Sequence, residues 1–127
     1  MNAFVGNIGN GQPLASGWAQ FQKTSDFRNA AMVFVFLDEH PDSINDGWFV
    51  FCFAANPAER TGWSDLPASY HNGAGGFSFA DGHSEIRKWR NASTIRPVKR
   101  NSSDFPVPIP AGQTADISWV AERSTHR

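Results

Sequence analysis

Tyrosine and cysteine occur once each in the 127 residues, methionine twice, and leucine is scarce. The single Cys52 excludes an internal disulfide framework and a cysteine-rich zinc site. Within Phe49-Val50-Phe51-Cys52-Phe53 it reads as a small buried apolar residue rather than a nucleophile. The longest apolar run falls far short of a bilayer span, and no basic stretch leads into an apolar one as in a signal peptide. The chain is therefore expected to be soluble as it stands. An excess of one charge is lacking too. The 11 Lys and Arg face 12 Asp and Glu, which speaks against nucleic acid as a partner because phosphate binding draws on a basic excess.

What is abundant is aromatic. Eleven Phe and 5 Trp within a 40% hydrophobic composition can fill one core, and with so little Leu they point to an α+β or all-β domain rather than a helical bundle. We expect a single domain over residues 1–127: an irregular Gly- and Asn-rich lead-in over 1–30, a sheet core over 31–89, and a C-terminal extension and helix over 90–127.

Residues 31–37, Ala-Met-Val-Phe-Val-Phe-Leu, read as a strand buried on both faces, and residues 48–54 as a second strand beside it. The acidic loop between them would be the hairpin connection. Residues 56–72 carry Pro57, Gly62 and Pro67 and read as a long surface connection. Residues 75–80 and 83–89 flank Asp81-Gly82, a strong hairpin signal. A two-residue type I′ loop there would set Ser78 opposite Glu85 and Gly76 opposite Arg87, and turn Phe77, Phe79 and Ile86 to the core. Pro106, Pro108 and Pro110 alternate with apolar residues and predict an extended surface crossing. Thr114 is the expected N-cap of a last helix, with Ile117, Trp119 or Val120 facing inward and Arg123 near its end.

Three groups of residues carry chemistry. Asp38, Glu39, Asp42, Asn45 and Asp46 gather oxygen ligands of the kind calcium requires, without EF-hand spacing; the competing reading is a solvated turn. His40, His71 and His83 lie beside carboxylates, so zinc is a lesser expectation; otherwise His71 locks the Gly-rich loop over the hairpin. Glu39, His71, Asp81 and His83, if brought together, would make the centre of a small metal- or carboxylate-dependent ester or glycoside hydrolase. Ser69 or Ser78 would be the nucleophile of a triad version, although no GxSxG elbow is present. Gly73, Gly75 and Gly76 lack the Lys-Ser/Thr of a phosphate loop and read as a flexible approach to a strand. Trp18, Trp48, Trp63 and Trp89 offer either a sugar-stacking platform or core. Asn91-Ala92-Ser93 and Asn101-Ser102-Ser103 match glycosylation acceptors, a pattern too common to carry weight.

His71, nine residues, then Asp81-Gly82 resembles the signature of bacterial prepilin-type proteins with the H-x(9)-DG domain. Met1-Asn2-Ala3-Phe4, the Phe36 to Gly47 strand and acidic loop, and Asp116-Ile117-Ser118-Trp119 with Glu122-Arg123 resemble further parts of that family. The resemblance implies a pilin-like head, similar to type II secretion pseudopilins: an antiparallel sheet of about four strands, long loops and a short C-terminal helix. It implies a structural role for His71, Asp81 and Gly82, an extracytoplasmic parent protein at the periplasm or cell surface, and assembly with other pilin-like subunits or with itself. The family's long N-terminal helix is not in this sequence, so an exposed sheet face and self-association into a homo-oligomer are expected. Some related heads bind calcium in an acidic loop, but toward their C-terminus, whereas this loop lies between the first two expected strands.

Overall fold

In a computed structural model, residues 1–8, 13–54, 59–101 and 103–127 are described. Part of the Gly- and Asn-rich lead-in, the start of the 56–72 connection including Pro57, and Ser102 of the second acceptor motif lie outside them.

The architecture is α+β. Strands β1 (Phe34–Leu37), β3 (Ala74–Phe79) and β4 (Ser84–Lys88) form an antiparallel sheet in the order β1-β3-β4. A second antiparallel pair joins β2 (Gly62–Trp63) to β5 (Val107–Pro108), and helix α1 (Ala115–Glu122) closes the chain. Short 3-10 turns occupy Thr24–Asp26 and Ala30–Met32.

The apolar run at 31–37 yields a strand only over Phe34–Leu37, because Ala30–Met32 form a 3-10 turn; that strand is buried on one face rather than both, with Phe36 exposed, and its partner is β3, not residues 48–54. That second segment forms no strand. Its contacts are an isolated parallel bridge between Phe49 and Asn2, and an exchange of backbone bonds with β2 and Asp65. Phe49 and Phe51 are buried, so its apolar character serves packing instead of pairing. Cys52 is half-buried, with Sγ 3.7 Å from the Glu59 carbonyl. Chain order misled the expectation, because the acidic loop folds back toward residues 65–67: the His40 N–H bonds the Leu66 carbonyl at 2.8 Å.

The Asp81-Gly82 hairpin forms with a different turn. The Phe79 N–H bonds the His83 carbonyl at 2.9 Å and only Gly82 has positive φ, at 94°, so three residues connect the strands rather than a type I′ pair. Asp81 Oδ1 accepts the His83 N–H at 3.1 Å, which fixes this wider turn. The register therefore slips by one residue from the two-residue expectation. Ser78 faces Ser84, Phe77 faces Glu85, Gly76 faces Ile86 and Gly75 faces Arg87. Since side chains alternate, the slip carries Ile86 to the outer face, where it is 67% exposed.

The inner face holds Phe34, Phe77 and Phe79 in one core with Phe49, Phe51, Trp63, Leu66, Trp89, Val107, Ile117 and Val120. Gly75 and Gly76 are strand residues, not a flexible approach. A Cβ on Gly75 would lie 2.7 Å from the Ala68 carbonyl oxygen, so glycine permits that backbone to cross. Trp63 and Val107 pair across β2 and β5 and are both buried, which makes the proline-alternating segment part of the core margin.

Helix α1 begins after Thr114 as expected, yet the Thr114 side chain caps nothing. The cap comes from elsewhere in the chain. Asn91 Oδ1 accepts the Asp116 N–H at 3.1 Å, and the fully buried Asp116 carboxylate accepts the N–H groups of Arg90 and Asn91. The N-terminal segment, though irregular, is equally well built. Phe4, Phe21 and Val33 make a second apolar cluster, joined to the first through Phe53. Buried Asn2 donates to the carbonyls of Phe34 and Ser124, both at 2.8 Å, and accepts the Phe4 N–H.

Candidate functional site

The outer face of the three-stranded sheet and the loops at its ends contain most of the residues singled out above. In β1 the pairing skips between Phe34 and Phe36. This bulge sends Phe34 into the core and Phe36 outward, 57% exposed. Phe36 lies across from Ser78 and Ile86 across from Gly76. Small residues thus separate two exposed apolar ones, and a shallow cavity of about 260 Å³ opens among Phe36, Leu37, Asp38, Gly76, Phe77 and Ser78.

Asp38 closes one end of that face. Its backbone N–H bonds the Gly76 carbonyl, and its Oδ2 accepts the Gly76 N–H at 3.0 Å. His71 Nε2 lies 3.4 Å from the same oxygen, with both side chains about half exposed. A Cβ on Gly76 would sit 2.8 Å from Asp38 Oδ2, so glycine is what admits this carboxylate. The Tyr70 hydroxyl donates to the Glu39 carbonyl at 3.3 Å.

Asp81 and His83 lie at the other end. Asp81 Oδ1 is 2.6 Å from His83 Nδ1, and the His83 ring stacks on Phe79 with centroids 4.4 Å apart. The His83 side-chain bond and then its backbone N–H hold the Asp81 carboxyl below its ordinary range. Strand β3 separates the two His–Asp pairs, and six residues in extended form span roughly 17–20 Å. His71 therefore meets Asp38 rather than Asp81, and Glu39, His71, Asp81 and His83 do not share one centre. The serines of the triad version are dispersed as well: Ser78 lies mid-sheet, and Ser69 Oγ donates to the Arg96 carbonyl at 3.4 Å.

In the acidic loop each carboxylate has its own partner. Buried Asp42 accepts the backbone N–H groups of Lys99 at 2.7 Å and Asn101 at 3.3 Å, and these bonds, led by Lys99, depress its pKa despite burial. Asp46 Oδ1 takes the Trp48 N–H at 2.6 Å, and Asn45 is exposed. Glu39 Oε1 accepts the Ser43 hydroxyl at 3.0 Å. Desolvation raises the Glu39 carboxyl from 4.5 to about 7 against that bond, with further upward pressure from Asp65 and Asp46. Burial likewise raises Asp65, although its Oδ2 accepts the Val50 N–H.

Among the described residues no three His, Cys, Asp or Glu side chains gather as a metal-holding group. Calcium needs six to eight oxygens. In the loop as folded, the Asp42 carboxylate is committed to the backbone N–H groups of Lys99 and Asn101 rather than gathered with Asp38, Glu39, Asn45 and Asp46. His40 is buried, with Nδ1 accepting the Asp42 N–H and Nε2 3.2 Å from the Arg96 carbonyl, away from His71 and His83. Trp63 and Trp89 are core and Trp18 and Trp48 half-buried, so they form no exposed platform.

The apolar outer face escaped sequence reasoning because the turn and the bulge set which residues point outward. Among the described residues no helix is long and apolar enough to cross a membrane. Compared with known proteins, the chain matches no family model, no curated protein and no solved structure.

Proposed function

We propose that this chain is a non-enzymatic, pilin- or pseudopilin-like head that acts outside the cytoplasm as an assembly or binding module. Its partners are other pilin-like subunits or further copies of itself. The observation that carries the reading is the outer sheet face, where exposed Phe36 and Ile86 flank Gly76 and Ser78. Exposed large apolar groups grouped on one sheet face favour contact with another macromolecule. His71 and Asp81-Gly82 then act structurally: His71 braces Asp38 at one sheet end, and Asp81 with Gly82 sets the turn at the other. The placement of His71 with Asp38 and of His83 with Asp81 at opposite ends of β3 supports this reading over a hydrolase centred on Glu39, His71, Asp81 and His83 together.

The test is turnover of ester and glycoside panels by the wild type, alongside thermal unfolding of His71→Ala and Asp81→Asn. Both His–Asp pairs are exposed, so each substitution should leave the unfolding midpoint nearly unchanged, and the wild type should hydrolyse none of the panel. Hydrolysis by the wild type, lost in variants that keep their unfolding midpoint, would sink the proposal.

A further inference from the structure

We infer that β4 is a self-complementary edge that pairs antiparallel with β4 of a second copy, extending the sheet across a two-fold axis at Ile86. The inference rests on the interaction-module reading and names its partner.

Strand β4 is the open edge of the sheet. The opposite edge, β1, is covered: the Asn2 N–H bonds the Val35 carbonyl at 2.9 Å and the Phe34 N–H bonds the Arg123 carbonyl at 3.0 Å. On the β4 side, the Phe79–His83 and Trp89–Gly73 bonds fix the parity of the ladder. Glu85 and Arg87 turn their backbone groups toward β3, so those of Ser84, Ile86 and Lys88 point away from the sheet. No residue of this chain covers those groups among the described residues, and every β4 side chain but Arg87 is exposed.

The sequence Ser84-Glu85-Ile86-Arg87-Lys88 reads complementarily against itself. Antiparallel pairing centred on Ile86 sets Ile86 beside its own copy, Glu85 opposite the second copy's Arg87, and Ser84 opposite the second copy's Lys88. The outward backbone groups of Ser84, Ile86 and Lys88 would then make about six interstrand hydrogen bonds. Lysine on an edge strand ordinarily discourages pairing, but here Lys88 falls opposite an uncharged serine.

Within its own chain Glu85 already acts on Arg123 through space, opposing the lowering by burial, but without forming an ion pair. Among the described residues neither Glu85 nor Arg87 forms an ion pair, and Arg87 Nε is buried without a hydrogen bond. The Arg87 guanidinium is already held in place, stacked 4.8 Å from the centre of the Trp119 ring. Arg123 packs on the same indole at 4.2 Å, which adds positive charge beside the position the incoming Glu85 would take. Directly opposed unlike charges stabilise a strand pair and like charges oppose it.

Sedimentation equilibrium of the full chain, up to about 1 mM, tests the pairing. The expected result is a reversible dimer that weakens at least about 10-fold in Ile86→Pro and in Glu85→Arg. Ile86 suits the first change because its N–H lies outside the ladder and its side chain is exposed. The double exchange Glu85→Arg with Arg87→Glu should dimerise more tightly than Glu85→Arg alone, since the opposed charges are again unlike, but below the wild type because Arg123 now repels the introduced guanidinium. Circular dichroism and thermal unfolding identify any variant that fails to fold. A wild type that stays monomeric throughout, or a dimer indifferent to Ile86→Pro, would overturn the inference. A dimer lost in Phe36→Ser but kept in Ile86→Pro would also overturn it, while leaving the interaction-module reading in place. Substrate turnover would sink that reading by itself.

Discussion

Glu39 is held where burial works against its charge, and replacing it with glutamine separates that cost from everything else in the fold. The carboxyl titrates at about 7 in the folded chain instead of 4.5, first because it is desolvated and then because Asp65 and Asp46 repel it. The difference between those two values corresponds to about 3 kcal/mol as an upper bound. Solvent screening at this half-buried position lowers the expected effect to about 1–2 kcal/mol. The sign follows from proton uptake. Below about pH 4.5 the group is protonated in both states and costs nothing. Between 4.5 and about 7 the unfolded chain releases its proton while the folded chain keeps it, so stability falls as pH rises. Above that window the full cost is present.

Glutamine keeps an acceptor for the Ser43 hydroxyl and removes the titration. Glu39→Gln should therefore match the wild type near pH 4 and exceed it by about 1–2 kcal/mol near pH 8. Urea unfolding of both proteins across that range gives the difference directly, and cancels carboxyls such as Asp42 and Asp81 whose lowered pKa works in the opposite sense. Parallel curves, or a variant less stable than the wild type at pH 8, would refute the reasoning.

Three further outcomes follow from the packing. Gly75→Ala should cost about 1–3 kcal/mol in chemical denaturation, because its Cβ would press on the Ala68 carbonyl and the Trp89 ring; a neutral effect would mean that this crossing is looser than described. Asn2→Ala strips hydrogen bonds from the buried clasp on Phe34 and Ser124 and should cost about 2–3 kcal/mol, whereas a loss below half that value would contradict the clasp. Calcium in excess over chelator should leave the thermal midpoint unchanged, since Asp42 and Asp46 are engaged with backbone N–H groups; a rise of several degrees would show the loop reorganising around an ion.

The elements written in local chemistry were legible. The apolar run ending at Leu37, the Asp81-Gly82 hairpin and the last helix all stand where composition and turn residues put them. The register was not legible, because Asp-Gly serves two-residue and three-residue connections alike. The choice here goes with the Asp81 side chain accepting the His83 N–H, and that one bond moves Ile86 from core to surface. The bulge that turns Phe36 outward has no glycine to announce it. The cap on Asp116 comes from Asn91, 25 residues away, and no pattern local to the helix could reveal it. The site residues failed to converge for a related reason. His71 and Asp81 are close in sequence, but an extended strand between them holds them apart.

The account turns on whether the outer sheet face is a contact surface. Hydroxyl-radical footprinting of dilute and concentrated or assembled protein tests it most directly. In the β4-paired dimer Ile86 alone should lose labelling; Phe36, on the strand farthest from the β4 edge, should lose it only in larger assemblies that cover the outer face, while exposed Ile44 and Tyr70 keep theirs. Unchanged labelling of Phe36 in a sample assembled beyond the β4-paired dimer would contradict the assignment of that face.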